Sequence, residues 1–142
     1  MGQLSITRSV ELEAPVDHVW EAVTTPALLS RWLDGAVDLD VRPGGEGTII
    51  EPDGAVRRAQ VEEVEPARRL ALQWWPEDGS SPASRVELDL EPTPGGTRLL
   101  VTETVLNETS ITMSARVATS ARWDIRLLLL GCSLLRSPVA CG

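Results

Sequence analysis

The stretch from Ser110 to Leu135 constrains the fold most, because no other segment of this sequence is long enough and periodic enough to form a long helix. The hydroxyl of Ser110 can cap the first turn, and the next proline, Pro138, lies just beyond the end of the segment. About 26 residues at ~1.5 Å each would span roughly 39 Å. A helix of that length crosses a whole small domain, so the rest of the chain has to pack around it.

Apolar residues in this predicted helix form two stripes. The first stripe contains Ile111, Ser114, Ala118, Ala121, Ile125, Leu128, Cys132 and Leu135. The second stripe contains Trp123, Leu127, Leu130 and Leu134, and it exists only in the C-terminal half. Spacings of three and four place each stripe on one helix face. The C-terminal half therefore has two faces to bury, one against a sheet and the other against a partner, a ligand or another part of the chain.

The sequence before this helix predicts strands and two short helices. From Leu4 to Glu13 apolar and polar residues alternate, as in a half-buried strand. Pro15 and Pro26 then open two short helices, since proline suits the first helical turn. About six further strands follow, separated by short turns such as Asp53-Gly54. Short links between consecutive strands make the neighbours antiparallel.

This order of elements predicts an α+β protein with a helix-grip fold. A sheet of about six or seven antiparallel strands curls because strands twist, and the long C-terminal helix would cover its concave face. The length of 142 residues and the apolar fraction of 42% suit a single domain over residues 1–142. The chain contains no Phe and no Tyr, which favours an incompletely filled space between sheet and helix.

Composition excludes several classes of function. The net charge of −8 argues against nucleic acid and anionic membrane as partners. All 13 basic residues are arginine, which excludes lysine chemistry and indicates a GC-rich bacterial genome. His18 is the only histidine, and Cys132 and Cys141 lack metal-ligand spacing, so we expect no metal and no cofactor. The N-terminus has no signal-peptide pattern and the longest apolar run is about half a membrane span, which predicts a cytoplasmic protein.

Short motifs follow one another in a fixed order between residues 4 and 105. They are Ala14-Pro15 with Val19-Trp20, Pro26 with Leu28-Leu29 and Trp32, Arg42-Pro43-Gly44-Gly45, Pro66 with Arg69-Leu70 and Trp74, and Leu90-Glu91-Pro92 with Gly95-Gly96-Thr97-Arg98-Leu99. In this order they resemble the SRPBCC (START/Bet v-like) superfamily, and the nearest branch is the one named after the activators of the ninety-kilodalton heat-shock-protein ATPase. That superfamily includes lipid and hormone binders, aromatase/cyclases of polyketide synthesis and many proteins of unknown role. The resemblance supplies no catalytic motif.

The resemblance also orients the C-terminal helix. The usual signature there is a tryptophan followed by leucines at four and seven, and Trp123, Leu127 and Leu130 match it. This implies that the stripe containing Trp123 faces the sheet. The outer stripe is then made of Ile125, Leu128, Cys132 and Leu135.

The first functional hypothesis is a binding module for a small hydrophobic molecule. The predicted cavity walls are Trp32, Leu72, Trp74, Leu88, Val101, Trp123 and Leu127. Glu103 and Arg8 are the candidate polar anchors, because each occupies an apolar phase of its strand. The alternative is that the walls simply fill the core and that Arg8 extends its head to water from an edge strand.

Two other hypotheses stay open. In an enzyme of the cyclase or hydratase type, Glu103 would act as general acid or base, although no histidine, tyrosine, lysine or second acid accompanies it. In a protein-interaction module, the outer stripe of the helix would bind a partner. Catalytic residues are therefore not assigned.

The outer stripe predicts self-association. A contiguous apolar patch of this kind is uncommon on a monomer, and two-fold pairing would cover one patch with another. We therefore expect a homodimer through the C-terminal helix, with Arg122 and Arg126 beside the stripe and in reach of acidic groups at the rim of the interface. The alternative is a monomer in which residues 137–142 fold back over the stripe.

Overall fold

The computed structural model describes residues 5–33, 35–80, 82–106, 122–131 and 134. In chain order the elements are β1 (Ser5–Leu12), α1 (Val16–Thr24), α2 (Pro26–Trp32), β2 (Ala36–Leu39), β3 (Glu46–Ile50), β4 (Val56–Glu65), β5 (Arg69–Pro76), β6 (Ser84–Thr93) and β7 (Gly96–Val105). Residues 122–131 form a further helix, which we call α3. Within the described ranges, no helix combines the length and apolarity of a membrane span.

The seven strands form one antiparallel sheet in the order β1-β7-β6-β5-β4-β3-β2. Strands β2 to β7 follow one another as a meander, whereas β1 lies at the far edge and pairs with β7. Helices α1 and α2 connect these two edges of the sheet. The predicted α+β helix-grip fold, with a curled antiparallel sheet, two short helices and a C-terminal helix, is confirmed.

Alternating side chains give the sheet an apolar and a polar face. In β6 the residues Val86, Leu88 and Leu90 are buried, and the residues between them are half-buried. The opposite face of the sheet carries ion pairs, in which Arg69 contacts Glu63, Glu87 and Asp89 on neighbouring strands. Most apolar side chains of the sheet therefore point to the concave face, where the helices cover them.

The core lies between the concave face and the three helices. It is continuous from Leu12 and Leu99 at one end to Val37 and Ile49 at the other. Trp32 at the end of α2 is fully buried, and its indole N–H donates a hydrogen bond of 3.0 Å to the carbonyl of Ala22. This bond satisfies the polar edge of a large ring inside an apolar layer.

The turn between β6 and β7 requires glycine at one position. Gly96 has a φ of 153°, and a Cβ there would lie 2.0 Å from the carbonyl oxygen of Leu12. The next residue, Thr97, is fully buried and donates a hydrogen bond of 2.8 Å to the carbonyl of Ala14. These two contacts tie the end of β1 to the start of β7.

Helix α3 presents one face to the sheet and one to solvent. Trp123, Leu127 and Leu130 are buried, so the orientation implied by the resemblance is confirmed. On the outer side, Ile125 is 58% exposed and Leu128 is 68% exposed. The remaining residues of the outer stripe, Cys132 and Leu135, lie outside the described residues, as does the first half of the predicted helix.

The prediction that Arg126 lies beside the outer stripe and reaches acidic groups at the rim of an interface is wrong. Its side chain is buried, with a relative exposure of 8%. The reason is helical spacing, because Arg126 follows Trp123 by three residues and precedes Leu130 by four. It therefore shares the sheet-facing side of α3. Arg122, by contrast, is exposed.

Candidate functional site

Two tryptophans and one carboxylate are joined by hydrogen bonds inside the core. The indole N–H of Trp74 donates to Oε2 of Glu103 at 3.0 Å, and the indole N–H of Trp123 donates to Oε1 of the same carboxylate at 2.8 Å. Glu103 is buried, with 7% of its surface exposed. Each carboxylate oxygen therefore receives one hydrogen bond from an otherwise apolar side chain.

The sheet brings Trp74 and Glu103 together because only one strand, with small inward-facing side chains, lies between them. Trp74 lies on β5 and Glu103 lies on β7, with β6 between them. Two strand spacings amount to about 9.6 Å, which is within reach of an indole ring and a glutamate stem. The intervening inward-facing residues on β6 are Ser84 and Val86, and both are small. Trp123 completes the arrangement from α3 above the sheet.

The two indoles also stack against each other and bind cations on their faces. The ring centroids of Trp74 and Trp123 are 6.0 Å apart, with an angle of 17° between the planes. The guanidinium carbon of Arg126 lies 5.2 Å from the Trp74 centroid and 4.8 Å from the Trp123 centroid. Arg57 lies 5.0 Å from the Trp74 centroid and pairs with Glu51 at 2.8 Å. All three guanidinium-to-ring distances fall in the range of cation–π contacts.

We call Trp74, Glu103, Trp123 and Arg126 the Trp–Glu–Arg cluster. Burial lowers the pKa of Arg126 to about 10, against a smaller opposing effect of the negative charge of Glu103. The guanidinium therefore remains positively charged at neutral pH although it is removed from water. Among the described residues, no carboxylate lies within 4.0 Å of it, and it packs against the two indole faces.

Arg126 also lines an opening to the surface. A pocket of about 280 Å³ is bounded by Leu33, Glu51, Pro52, Asp53, Arg122, Ile125 and Arg126, and we call it the α3 opening. A second pocket of about 450 Å³ lies beside it and shares Glu51 and Arg122 with it. Arg126 thus lies between the indole rings and solvent.

The predicted cavity residues fall into three groups, which are the Trp–Glu–Arg cluster, the apolar core and Arg8 by itself. Trp74, Glu103 and Trp123 come together in the Trp–Glu–Arg cluster. The remaining apolar members are buried in the continuous core, and they are Trp32, Leu72, Leu88, Val101 and Leu127.

Arg8 lies apart from the cluster. It occupies an inward phase of the edge strand β1, and its Nε donates to Oδ1 of Asp124 at 2.9 Å. Its side chain is 38% exposed. Arg8 therefore does not pair with Glu103, the other candidate polar anchor. The edge position with a partly hydrated head describes Arg8 better.

Two site residues were missed by sequence reasoning. For Arg126 a usable signal exists, namely its spacing from Trp123 and Leu130 on one helix face. For Arg57 the only signal is an inward phase two residues before the buried Ala59 on β4. Its position above Trp74 depends on the register of β4 against β5, which a sequence does not give.

The described residues offer little for metal chemistry. No group of three or more His, Cys, Asp or Glu side chains in the described ranges could hold a metal ion. The cluster instead combines a fixed carboxylate, two aromatic faces and one buried cation. Such a set can bind a flat apolar molecule and orient a polar group on it.

A curled sheet that grips a C-terminal helix over a buried polar cluster defines a helix-grip protein of the SRPBCC type. Within that class, the chain belongs to the family described as activator of Hsp90 ATPase homolog 1-like protein, whose model matches residues 13–127. Among curated proteins, none matches the sequence.

Solved structures agree with the fold. Protein MLL2253 from Mesorhizobium loti is 24% identical with a TM-score of 0.81, and the match covers 96% of this chain and all of that one. CalU16 from Micromonospora echinospora is 29% identical with a TM-score of 0.76, covering 94% of this chain and 78% of that one. DynU16, a protein in the dynemicin biosynthetic locus, is 28% identical with a TM-score of 0.79, covering 89% of this chain and 45% of that one.

Proposed function

We propose that this protein binds a small, largely apolar molecule between the curled sheet and α3, beside the Trp–Glu–Arg cluster. The ligand enters through the α3 opening, where it meets Arg126 in front of the indole rings of Trp74 and Trp123. Its further walls are core side chains, namely Trp32, Leu72, Leu88, Val101 and Leu127. Family membership supports the proposal, since the SRPBCC superfamily includes binders of lipids and hormones.

The observation that carries the proposal is the free-energy cost of burying the charged groups of the cluster. Holding Arg126 and Glu103 out of water costs several kcal/mol per ion before any compensation. Apolar side chains of similar volume would fill the same space with equal or better stability. Folding alone therefore gives no reason for a buried cation above two tryptophan faces, and buried charges of this kind are typical of functional sites.

We propose binding rather than catalysis because the cluster contains few groups that could act as a general acid or base. Glu103 is the one carboxylate in the cluster, and both of its oxygens accept indole N–H groups. The only histidine of the chain, His18, lies exposed on α1. General acid–base chemistry needs a group within hydrogen-bond reach of a substrate proton, and an oxygen already engaged by an indole is poorly placed for it.

A ligand screen tests the proposal. Apolar metabolites should change tryptophan fluorescence and raise the melting temperature, since a ligand that binds the folded state stabilises it. The fluorescence change should be much smaller in Trp74→Phe and unchanged in Trp75→Phe, because Trp75 is the next residue of β5 and points to the other side. A screen in which no compound has either effect would leave these residues as core alone.

We also propose that the protein forms a homodimer through α3. The support is the exposure of Ile125 and Leu128 on the outer side of that helix. Large apolar side chains next to each other on a surface favour an interface. A two-fold pairing would cover both copies of the patch at once.

A further inference from the structure

We infer that Arg126 is a binding site for the anionic group of the ligand, so that the molecule bound beside α3 is a planar aromatic or polycyclic acid. This inference rests on the proposed function and adds the chemical class of the ligand. Its basis is a charged side chain that is more than nine-tenths buried, lines a surface opening and has no ion-pair partner among the described residues.

The nearby carboxylates are already committed to other groups. Glu103 accepts the indole N–H groups of Trp74 and Trp123. Glu51 pairs with Arg57 at 2.8 Å. Asp53 accepts the backbone N–H of Ala55 at 2.9 Å at the tip of the β3–β4 hairpin. Arg126 therefore keeps a guanidinium with no carboxylate within 4.0 Å among the described residues, whereas Arg57 is paired with Glu51.

Glu103 is, on this view, a positioning residue rather than the anchor. Its two hydrogen bonds fix the rotation of both indole rings, which places their faces against the guanidinium of Arg126. The planar guanidinium of Arg126 is held beside the two indole rings, and its N–H groups lie around its edge. An acid can then receive two parallel N–H bonds, which is the geometry that arginine prefers with carboxylates.

Apolar side chains explain why the acid should carry a ring system. Leu33, Pro52 and Ile125 border the opening next to the guanidinium of Arg126, and the buried rings of Trp74 and Trp123 lie behind it. A flat ring system attached to the acid covers these side chains and gains apolar burial. A small inorganic anion would leave them unused.

Two fluorescent probes that differ in one anionic group test the inference. Anilinonaphthalene sulfonate carries a sulfonate, and phenylnaphthylamine is the same ring system without it. The variants are Arg126→Met and Arg126→Gln, with Arg98→Met as control on the outer face of β7, where Arg98 pairs with Glu11. Only variants whose melting temperature is at or above that of the wild type are compared.

We expect Arg126→Met and Arg126→Gln to weaken sulfonate binding at least tenfold, since a hydrogen bond to a charged group is worth that much or more. Binding of the neutral probe should change less than about twofold, and Arg98→Met should change neither. NMR spectra of protein labelled with nitrogen-15 locate the probe. Of the five indole N–H signals, those of Trp74 and Trp123 should shift.

Each contrary result has a separate meaning. Equal weakening of both probes, or of neither, overturns the assignment of Arg126 as the anionic site. Wild-type protein that binds the neutral probe but not the sulfonate also overturns it and leaves the proposed function standing. Wild-type protein that binds neither probe counts against the proposed function itself.

Discussion

The stability of a buried carboxylate such as Glu103 depends on its two indole N–H donors. A carboxylate offers an acceptor to each indole, whereas a glutamine amide offers one oxygen and one NH₂ group. In a Glu103→Gln variant one of the two indole N–H groups would face another donor.

We therefore expect Glu103→Gln to destabilise the protein by about 1–3 kcal/mol, the cost of a buried unsatisfied donor. Urea unfolding measures the difference. The control is Glu11→Gln, an exposed carboxylate on β1 that pairs with Arg98, and it should stay within about 0.5 kcal/mol of the wild type. A Glu103→Gln variant as stable as its control would show that the indoles do not need the carboxylate.

Arg126 in its buried position is expected to lower the free energy of unfolding. Burial depresses its pKa in the folded state to about 10, well below the ordinary value of an arginine, so the unfolded chain holds this proton more tightly. The charged form is then disfavoured by folding at every pH below about 10, and the cost is relieved only as the pH rises above that value. Neutral pH therefore shows the cost in full.

Accordingly, Arg126→Met should raise the free energy of unfolding at pH 7 by about 1–2 kcal/mol, after the lost cation–π contacts are subtracted. Arg122→Met, one turn earlier and exposed, should change it by less than about 0.5 kcal/mol. Denaturant curves of the two variants decide the matter. A clear loss of stability in Arg126→Met would mean that the guanidinium is held favourably.

At the scale of single elements, the β6–β7 turn offers a sharp comparison between adjacent glycines. A Cβ on Gly96 would collide with the Leu12 carbonyl, whereas a Cβ on Gly95 would meet nothing within 4 Å. We expect Gly96→Ala to cost about 2–4 kcal/mol because β1 and the turn have to separate. Gly95→Ala should cost less than about 1 kcal/mol. Thermal unfolding of both variants provides the measurement, and equal melting temperatures would contradict the expected clash.

The sequence predicts these elements much better than it predicts the site. Alternation in β6, the proline that opens α2 and the spacing of Trp123, Leu127 and Leu130 are local patterns, and local patterns determine where strands and helices lie. The cluster depends on the register of neighbouring strands and on the small side chain of Ser84 between Trp74 and Glu103. Register is a property of the whole sheet, so Arg57 on β4, which lies over Trp74 on β5, gives no comparable signal.

For the whole molecule, the proposed dimer gives the clearest test. Leu128 is the most exposed large apolar residue of α3, and a glutamate there would place a charge in the centre of the interface. Leu128→Glu should therefore convert a wild-type dimer into a monomer. Sedimentation at micromolar concentration measures this.

The control for that experiment is Leu100→Glu, because Leu100 is also partly exposed but lies on β7 away from α3. It should leave the dimer intact. A wild-type monomer would contradict the dimer and favour a segment such as 137–142 as the cover of the patch. A dimer that persists in Leu128→Glu would place the interface elsewhere.

The pairing of β1 with β7 also sets the order in which a growing chain can complete its sheet. Ser5 and Thr104 are hydrogen-bonded neighbours although they are 99 positions apart in the chain. At about 5–20 residues per second, synthesis takes roughly 5–20 s to cover that distance. During this time β2 to β6 can pair as hairpins, while the first strand made has no partner. On the ribosome, the oldest strand of this protein is thus among the last to enter the sheet.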